Sequence, residues 1–369
     1  MAAVGTRTVA TANFIGGSIR EDLANFITNL SPENTPFLST IGSNKAKQPR
    51  HDWQTDTLMA PNRDNIVAES FQFDTANAEQ DVPVRLSNYT EVTGKTIHVA
   101  GSLIKSDFAG AQDYFSYQRM KRGKEIMRDL EAKRINFALV AGASGANVQQ
   151  ETYDNSGATR RSAGVYAYAG NWVNATSTAL DAVNRAGAVV SGGTGVIGAN
   201  SSGNTRLTDG TAALKYASSP TTVAITLDHF TDLAAQFSLN NGSLTHFQVP
   251  TSLKQTVSNL LIAGNGGAAE RRADAMADKV NIAVDMVTME FGFRVAIYPN
   301  YIMQAHTGGG SRQSILGYDP AALKRSVLTP MTTEEDGTAR YGKGYIMYCD
   351  ESLEVSNPNS VGVIAGIMN

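Results

Sequence analysis

The side chains that most often perform chemistry in proteins are sparse in this sequence and do not cluster. The five histidines stand singly, and none follows the spacing by which histidine, cysteine or carboxylate side chains hold a metal ion. They are His51, His98, His229, His246 and His306. Each is expected to be a packing or surface residue, so the sequence predicts neither a metal site nor a catalytic histidine.

Two short motifs could bind ligands, and both are weak. Gly193, Gly195 and Gly198 match the glycine spacing of a dinucleotide-binding loop. Such a loop needs a helix that begins at its glycines, and the small polar residues after Gly198 cannot form one. The acidic run 334–336 lacks the alternating oxygen ligands of a calcium loop. Nucleophile and phosphate-binding motifs are missing from the sequence as well, so it predicts no enzyme and no cofactor.

Composition predicts a folded protein with more than one domain. The chain has 369 residues, of which 42% are hydrophobic and 18% are charged, and its net charge is -3. Cys349 is the one cysteine, so an internal disulfide is impossible, and this residue is expected to pack in a strand. Since no apolar run is long enough to span a bilayer, we expect a soluble protein without a membrane partner.

The longest stretch compatible with one helix covers residues 113–142, and the other elements are expected to be arranged around it. The stretch contains no proline, and apolar or small residues recur at three- and four-residue steps, which predicts one buried stripe. The residues of that stripe are Met120, Gly123, Met127, Leu130, Phe137 and Ala141. A helix of this length would span roughly 45 Å, more than a compact domain of this size requires.

Charges on the same stretch predict a solvated outer face. Three pairs of opposite charge stand one turn apart, where each pair stabilises a helix slightly. The pairs are Glu125 with Arg128, Asp129 with Lys133, and Glu131 with Arg134. Between residues 119 and 134, seven basic residues outnumber three acidic ones, a local charge of +4. The alternative to a solvated face is a basic strip bound to nucleic acid or to an acidic neighbour.

Residues 45–101 alternate polar and apolar side chains without enough apolar residues for a core of their own. Residues 51–60 and 87–101 are predicted to form strands, and more than 25 residues connect them. A hairpin of this kind is marginal in water, so the region is expected to lie on another surface. The apolar residues expected to need partners elsewhere are chiefly Trp53, Leu58, Phe71, Phe73 and Leu86.

The second half of the chain predicts helices packed on a sheet. Amphipathic helices are expected at residues 226–239, with Thr226 as N-cap, and at residues 251–263. Alternation of apolar residues predicts strands after them, including one with Phe291, Phe293, Val295 and Ile297 on one face. The fold class predicted from the residues is therefore α+β.

Several segments resemble the recurring segments of tailed-bacteriophage major capsid proteins of the Hong Kong 97 fold, in matching order and spacing. They are SPENTPFLSTIG (31–42), HDWQTDTL (51–58), LSNYTEVTGKTIHVAGS (86–102), KEIMRDLE (124–131) and ILGYDPAALKRSVLTP (315–330). The resemblance implies an N-terminal arm (1–43), an extended β-loop (44–101), a peripheral domain with the long spine helix (102–165 and 324–369) and an axial domain (166–323).

The resemblance also implies a structural role: the subunit would self-assemble into hexamers and pentamers of an icosahedral shell around phage double-stranded DNA. The expected partners are other copies of the chain, a separate scaffolding protein and a portal, with a decoration protein as a further candidate and only non-specific contact with the DNA. Assembly would take place in the host bacterial cytoplasm, and the protein would end in the virion.

Candidate contacts between subunits follow from the same reasoning, and two other functions stay open. The candidate contact residues are Phe37, Trp53, Leu58, Arg63, Phe71, Phe73 and Leu86. The first alternative is another phage structural protein, such as a tail or decoration component. The second is an enzyme on an α+β scaffold, which only the weak glycine motif supports.

Overall fold

A computed structural model gives the structure of the protein. It describes residues 34–56, 63–64, 66, 69, 83–105, 114–135, 138–139, 148–149, 160–174, 224–263, 273–274, 279–280, 285–303, 312–337 and 341–368. Within these ranges no helix is both long and apolar enough to cross a bilayer.

Helices and strands alternate irregularly along the described chain. The helices are α1 (Pro36–Thr40), α2 (Gly101–Lys105), α3 (Tyr114–Ile135), α4 (Leu227–Leu239) and α5 (Thr251–Ala263). The strands of the first half are β1 (Gly42–Lys45), β2 (Arg50–Thr55), β3 (Val84–Tyr89), β4 (Glu91–Ala100), β5 (Ala138–Leu139), β6 (Val148–Gln149) and β7 (Asn171–Asn174). Those of the second half are β8 (His246–Pro250), β9 (Ala273–Asp274), β10 (Lys279–Val280), β11 (Met286–Thr288), β12 (Arg294–Asn300), β13 (Arg312–Tyr318), β14 (Leu323–Glu335), β15 (Gly342–Val355) and β16 (Val361–Met368).

A four-stranded sheet supports the long helix α3. Its strand order is β1-β14-β15-β4; β1 runs parallel to β14, and the other pairs are antiparallel. Side chains of successive residues point to opposite faces of a strand. Ile97 and Val99 of β4 therefore share a core with Leu130 of α3, whereas Val92 and Ile346 on the other face are 57% and 41% exposed.

A six-stranded sheet carries α4 and α5 on one face. Its strand order is β11-β12-β8-β13-β16-β7, and it mixes parallel and antiparallel pairs. Phe237 of α4 and Leu253 of α5 pack in one hydrophobic core with Phe247 of β8. Helices on one side of a sheet of mixed direction are typical of the α+β class, and that predicted class is confirmed.

Strands β13 and β16 belong to both cores because they bury side chains on both faces. Ile315 and Ile364 lie in the core with α4 and α5, whereas the adjacent Leu316 and Val363 lie in the core with α3. The six-stranded sheet is therefore fixed to the spine helix by apolar packing as well as by the chain.

Helix α3 is the predicted spine helix, but it is shorter, and its buried stripe differs. It spans Tyr114–Ile135. The predicted stripe is confirmed at Leu130, which is fully buried. It is wrong at Met120, which is 56% exposed, because no described element packs on that side of the N-terminal half of the helix. The helix instead buries the charged residues Glu131 and Arg134. The stripe residues at 137 and 141 lie outside the described part of the chain.

The described ends of residues 44–101 lie on another surface, as predicted, and that surface belongs to their own subunit. Strand β2 pairs with β3 in an antiparallel hairpin, and β4 is part of the four-stranded sheet. Trp53 and Leu86, paired across the hairpin, are buried in the core with α3. Trp53 Nε1 also donates to the carbonyl oxygen of Val355 at 2.8 Å. Local sequence could not reveal these partners because they come from distant elements, in one case 302 residues away.

The elements predicted for the second half largely agree with the structure. Helix α4 begins after Thr226, whose side chain accepts from the backbone of residue 229, and α5 has the predicted bounds. The alternation of Val295 and Ile297 is confirmed, since both are buried. Phe291 is an exception: it lies in the turn between β11 and β12 with φ +64°, and it is 59% exposed.

Segments that are far apart in the chain contribute to each sheet and each core. Strand β16, near the C-terminus, belongs to the six-stranded sheet, and Tyr166 and Tyr168 pack in the core with α3. The domain boundaries that the resemblance implies stay a prediction.

Two substitutions in α3 test where its buried face lies. Replacing Leu130 by Ala should lower the free energy of unfolding by about 2–5 kcal/mol, because it leaves a cavity in a closed core. Replacing Met120 by Ala should change it by less than about 0.5 kcal/mol. Urea unfolding of both variants is the measurement, and similar losses would contradict the burial described here.

Candidate functional site

A buried carboxylate joins three separate parts of the fold. Glu131 lies in the C-terminal half of α3 and is 0% exposed. Its two carboxylate oxygens accept hydrogen bonds from the backbone N–H groups of Phe37 and Leu38, each at 2.8 Å. Oε1 also accepts from Asn300 Nδ2 at 2.8 Å. Glu131 thereby connects α1, α3 and the end of β12.

The sequence around α1 explains why its first turn needs this carboxylate. The first amide groups of a helix have no partner within the helix. Pro36 has no N–H to satisfy, and the preceding Thr35 makes no side-chain cap. The N–H groups of Phe37 and Leu38 are buried, and Glu131 accepts from both of them. A residue 93 positions away thus acts as the cap of α1.

A polar chain continues from this carboxylate into the six-stranded sheet. Asn300 Nδ2 lies 3.4 Å from Gln248 Oε1, and Gln248 Nε2 donates to the Tyr318 hydroxyl at 3.0 Å. The Tyr318 hydroxyl lies 2.8 Å from Thr40 Oγ1 at the end of α1. Since these groups are buried and satisfied by each other, the relative positions of α1, β8, β12 and β13 are closely defined.

Burial rather than an ion pair controls the ionisation of this junction. No described cation lies within salt-bridge distance of Glu131, and burial raises the pKa of its carboxyl although its three hydrogen bonds oppose that shift. Burial likewise raises the pKa of Tyr318 to about 12. Removing one partner from such a network leaves buried donors without acceptors.

A second set of polar contacts attaches the C-terminal half of α3 to β15. Arg134 is 1% exposed, and its Nη2 donates to the carbonyl oxygen of Glu351 at 3.0 Å. The Glu351 carboxylate pairs with Arg325 of β14 at 2.5 Å. Lys133 forms an ion pair with Glu91 of β4. The predicted helix pairs of Glu131 with Arg134 and of Asp129 with Lys133 are therefore replaced by contacts to other elements.

A third set holds the base of the β2–β3 hairpin against the four-stranded sheet. Glu354 Oε2 accepts from Asn44 Nδ2 at 3.0 Å and from Ser326 Oγ at 3.2 Å, and it lies 2.9 Å from His51 Nε2. The hydrogen bond to His51, with those to Asn44 and Ser326, outweighs burial and lowers the pKa of Glu354 to about 2.

The candidate contact residues separate into two groups. Phe37, Trp53 and Leu86 are buried inside their own chain, where their side chains have partners. Arg63 is exposed. The remaining three, at positions 58, 71 and 73, lie outside the described residues.

Three of the four described histidines make contacts inside the chain, and the fourth, His98, is exposed. His51 touches Glu354, His229 lies at the start of α4, and His246 stacks on Tyr298 with ring centroids 5.2 Å apart. Among the described residues no group of three or more His, Cys, Asp or Glu side chains could hold a metal ion. His306 and the glycine motif of residues 193–198 lie outside that part of the chain.

Sequence reasoning missed Glu131, although a signal was present. It assigned Glu131 to a surface pair because Arg134 stands three residues later. Glu131 is, however, adjacent to the buried Leu130 and four residues after Met127, so helical geometry places it beside the buried stripe. A carboxylate there signals a polar partner from another element.

Solved structures that are similar to nearly the whole of this chain include capsids. The capsid of a native GTA particle matches with a TM-score of 0.56 and 12% identity, over 99% of this chain and 100% of that one. A chain from Mycobacterium phage Adephagia matches with a TM-score of 0.53 and 13% identity, over 98% of each. An encapsulin from Synechococcus elongatus matches with a TM-score of 0.51 and 10% identity, over 99% of this chain and 97% of that one. The protein thus has the Hong Kong 97 fold of capsid proteins.

Sequence comparison identifies the family. The model of the SU10 major capsid protein family matches residues 3–368, and the chain belongs to that family. A curated relative, the major capsid protein of Escherichia phage Phieco32, is 32% identical over 136 residues. That match covers 37% of this chain and 37% of the relative. The resemblance stated from the sequence is confirmed.

The Glu131 junction can be tested by a near-isosteric substitution. Replacing Glu131 by Gln points an amide donor at a backbone N–H, so the free energy of unfolding should fall by about 1–3 kcal/mol. Replacing Asp129 by Asn removes only an exposed pair with Lys95 and should cost less than about 1 kcal/mol. Equal losses in denaturant titrations would contradict the assigned role of Glu131.

The carboxyl group of Glu354 should make the stability of the protein depend on pH. Its folded pKa of about 2 lies below the ordinary value of 4.5, so its contribution is present above the ordinary value and is lost as the pH falls toward the folded one. The stability advantage of the parent protein over the Glu354→Gln variant should therefore shrink between about pH 5 and about pH 2. Glu290→Gln, at an exposed position, serves as the control without such a change. An advantage that stays constant with pH would refute the assignment.

Proposed function

We propose that this protein is the major head subunit of a tailed phage, and that its copies assemble as hexamers and pentamers into an icosahedral shell around double-stranded DNA. The observation that carries the proposal is the family match over nearly the whole chain. It favours a shell subunit over the tail or decoration component that the residues alone leave open. Solved capsids of the same fold add support at the level of architecture.

The unequal distribution of packing also supports assembly. Both ends of the region 44–101 are fixed to the core, whereas the described residues between them, such as Arg63 and Ile66, are exposed. Ile66 is 86% exposed, so its side chain is open to contact from outside its own subunit. We therefore narrow the projecting part of the extended loop to residues 57–82 and keep positions 58, 71 and 73 as candidate contacts.

Contacts of this kind define the geometry of assembly. A projecting segment that touches a different surface of the next copy makes a heterologous interface, which closes into rings under rotational symmetry. The further partners are a separate scaffolding protein, a portal and, as an additional candidate, a decoration protein. The packaged DNA would be touched without sequence specificity. Assembly would occur in the host bacterial cytoplasm.

Electron microscopy of the purified chain, alone or with a scaffolding partner, tests the proposal. We expect closed shells or ring-shaped capsomers of about six subunits, the closed rings that heterologous contacts form. A species that stays monomeric at high concentration with the scaffold supplied would overturn the proposed function.

Replacement of the projecting segment separates folding from assembly. A glycine-serine linker of equal length in place of residues 57–82 should leave the circular dichroism and thermal melt nearly unchanged, because Trp53 and Leu86 remain in the core. Sedimentation should then show no closed shells. Trp53→Ala is the matched control and should lower stability by about 3–5 kcal/mol. Normal shells from the linker variant would show that the segment is not an assembly contact.

A further inference from the structure

Three buried oxygen atoms have no hydrogen-bond partner in the part of the chain that the structure describes. They are Thr90 Oγ1, Asp350 Oδ1 and Ser352 Oγ. Thr90 and Ser352 are fully buried, and Asp350 is 6% exposed. A polar group that is buried without a partner costs free energy. A group of three such atoms therefore indicates that a further molecule satisfies them.

Strand pairing brings these three side chains together on one face of the four-stranded sheet. Asp350 and Ser352 alternate along β15, so their side chains share a face, and their Cα atoms lie about 6.5 Å apart. Glu91 of β4 pairs with Glu351, and the same register places Thr90 across from Ser352. Side chains that face each other on neighbouring strands have Cβ atoms about 5 Å apart. The three oxygen atoms are therefore neighbours, although none of them bonds directly to another.

This face of β15 is polar on both sides of Ser352. On one side, Arg160 Nη2 donates to Asp350 Oδ2 at 3.0 Å. On the other side, Glu354 Oε2 accepts from Ser326 Oγ at 3.2 Å, and Ser326 is the residue of β14 that pairs with Ser352. A buried space with polar walls binds water, whereas an apolar space of the same size stays dry.

Charge and hydrogen-bonding capacity favour a neutral occupant. The Asp350 carboxylate already pairs with Arg160, so a cation would add an unbalanced charge, and an anion would meet Asp350 Oδ1. That oxygen can only accept, whereas the hydroxyl groups of Thr90 and Ser352 can donate or accept. A water molecule can serve all three. Two oxygen atoms that bond to one water lie up to about 5.6 Å apart, which agrees with the spacing of the strands.

We propose that an ordered water molecule binds between Thr90, Asp350 and Ser352. Thr90 is the residue between β3 and β4, so this water joins β15 to the point where the β2–β3 hairpin meets the sheet. A bridging water is nearly as favourable in enthalpy as a direct hydrogen bond, and it would complete the polar contacts at the base of the hairpin. The site lies within one subunit and does not depend on the proposed function.

A density map that resolves ordered water, from the assembled particle or from crystals of the subunit, tests the site directly. We expect one peak about 2.6–3.2 Å from each of the three oxygen atoms. An empty site, or direct hydrogen bonds among the three side chains, would overturn the proposal. A peak that grows when rubidium replaces sodium in the buffer would identify a cation, which overturns it as well.

Two substitutions at Thr90 test whether its hydroxyl holds the water. Thr90→Val keeps the branched shape and removes the hydroxyl, so the peak should weaken. Thr90→Ser keeps the hydroxyl and is the matched control, in which the peak should stay. A peak of unchanged height in Thr90→Val would show that Thr90 does not bind the water, and the three-way bridge would be wrong.

A double-mutant cycle shows whether both hydroxyl groups share one partner. Thr90→Val and Ser352→Ala should each lower the melting temperature by about 1–4 °C, the effect of one lost buried hydrogen bond. If one water joins them, the loss in the double variant should be smaller than the sum of the single losses. Thr90→Val combined with Ser326→Ala is the control and should give additive losses. Additive losses for the first pair would contradict the shared water.

Discussion

The structure depends on one buried carboxylate that forms no salt bridge with any cation in the described part of the chain. Glu131 accepts hydrogen bonds from two backbone amides of α1 and from the side chain of Asn300. A carboxylate buried in this way is tolerated only when fixed donors satisfy it. Any movement of α1 or of the end of β12 away from the spine helix would break this arrangement. The carboxylate therefore defines how three distant parts of the chain meet.

Apolar packing extends this constraint to the whole described chain. Because β13 and β16 bury side chains on both faces, the core beneath α3 and the core beneath α4 and α5 share two strands. The subunit thus has a rigid centre, and its exposed surfaces include the open face of the four-stranded sheet and the region around Ile66. A shell subunit needs this division, since contacts with neighbours must form on a body that already holds its shape.

The sequence predicted the elements whose signals are local. Thr226 and the apolar periodicity that follows it gave α4 almost to the residue, and the alternation of Val295 and Ile297 identified β12. The resemblance predicted the fold and the family. The prediction that Phe291 lies in this strand was wrong because the alternation of apolar residues continues into a turn. Only the backbone conformation of Phe291, with φ +64°, shows where the strand begins.

What could not be predicted depends on contacts between residues far apart in the chain. Trp53 and Leu86 looked unpartnered because their partners come from α3 and β15. Glu131 looked like a surface residue because a basic residue stood one turn away, and the amides that it caps are more than 90 positions earlier. The spacing of residues within one helix does not indicate contacts with distant parts of the chain. Prediction of a partner from spacing is therefore least reliable for charged residues next to a buried stripe.

Native-state hydrogen exchange at the amides of Phe37 and Leu38 tests the central claim most directly. If both N–H groups are held by the Glu131 carboxylate, they should exchange as slowly as the amide of Val363 in the shared strand β16, because both then open only with the core. Exchange as fast as that of an exposed turn such as Phe291 would show that α1 is not held by the spine helix, and the account of the junction would be wrong.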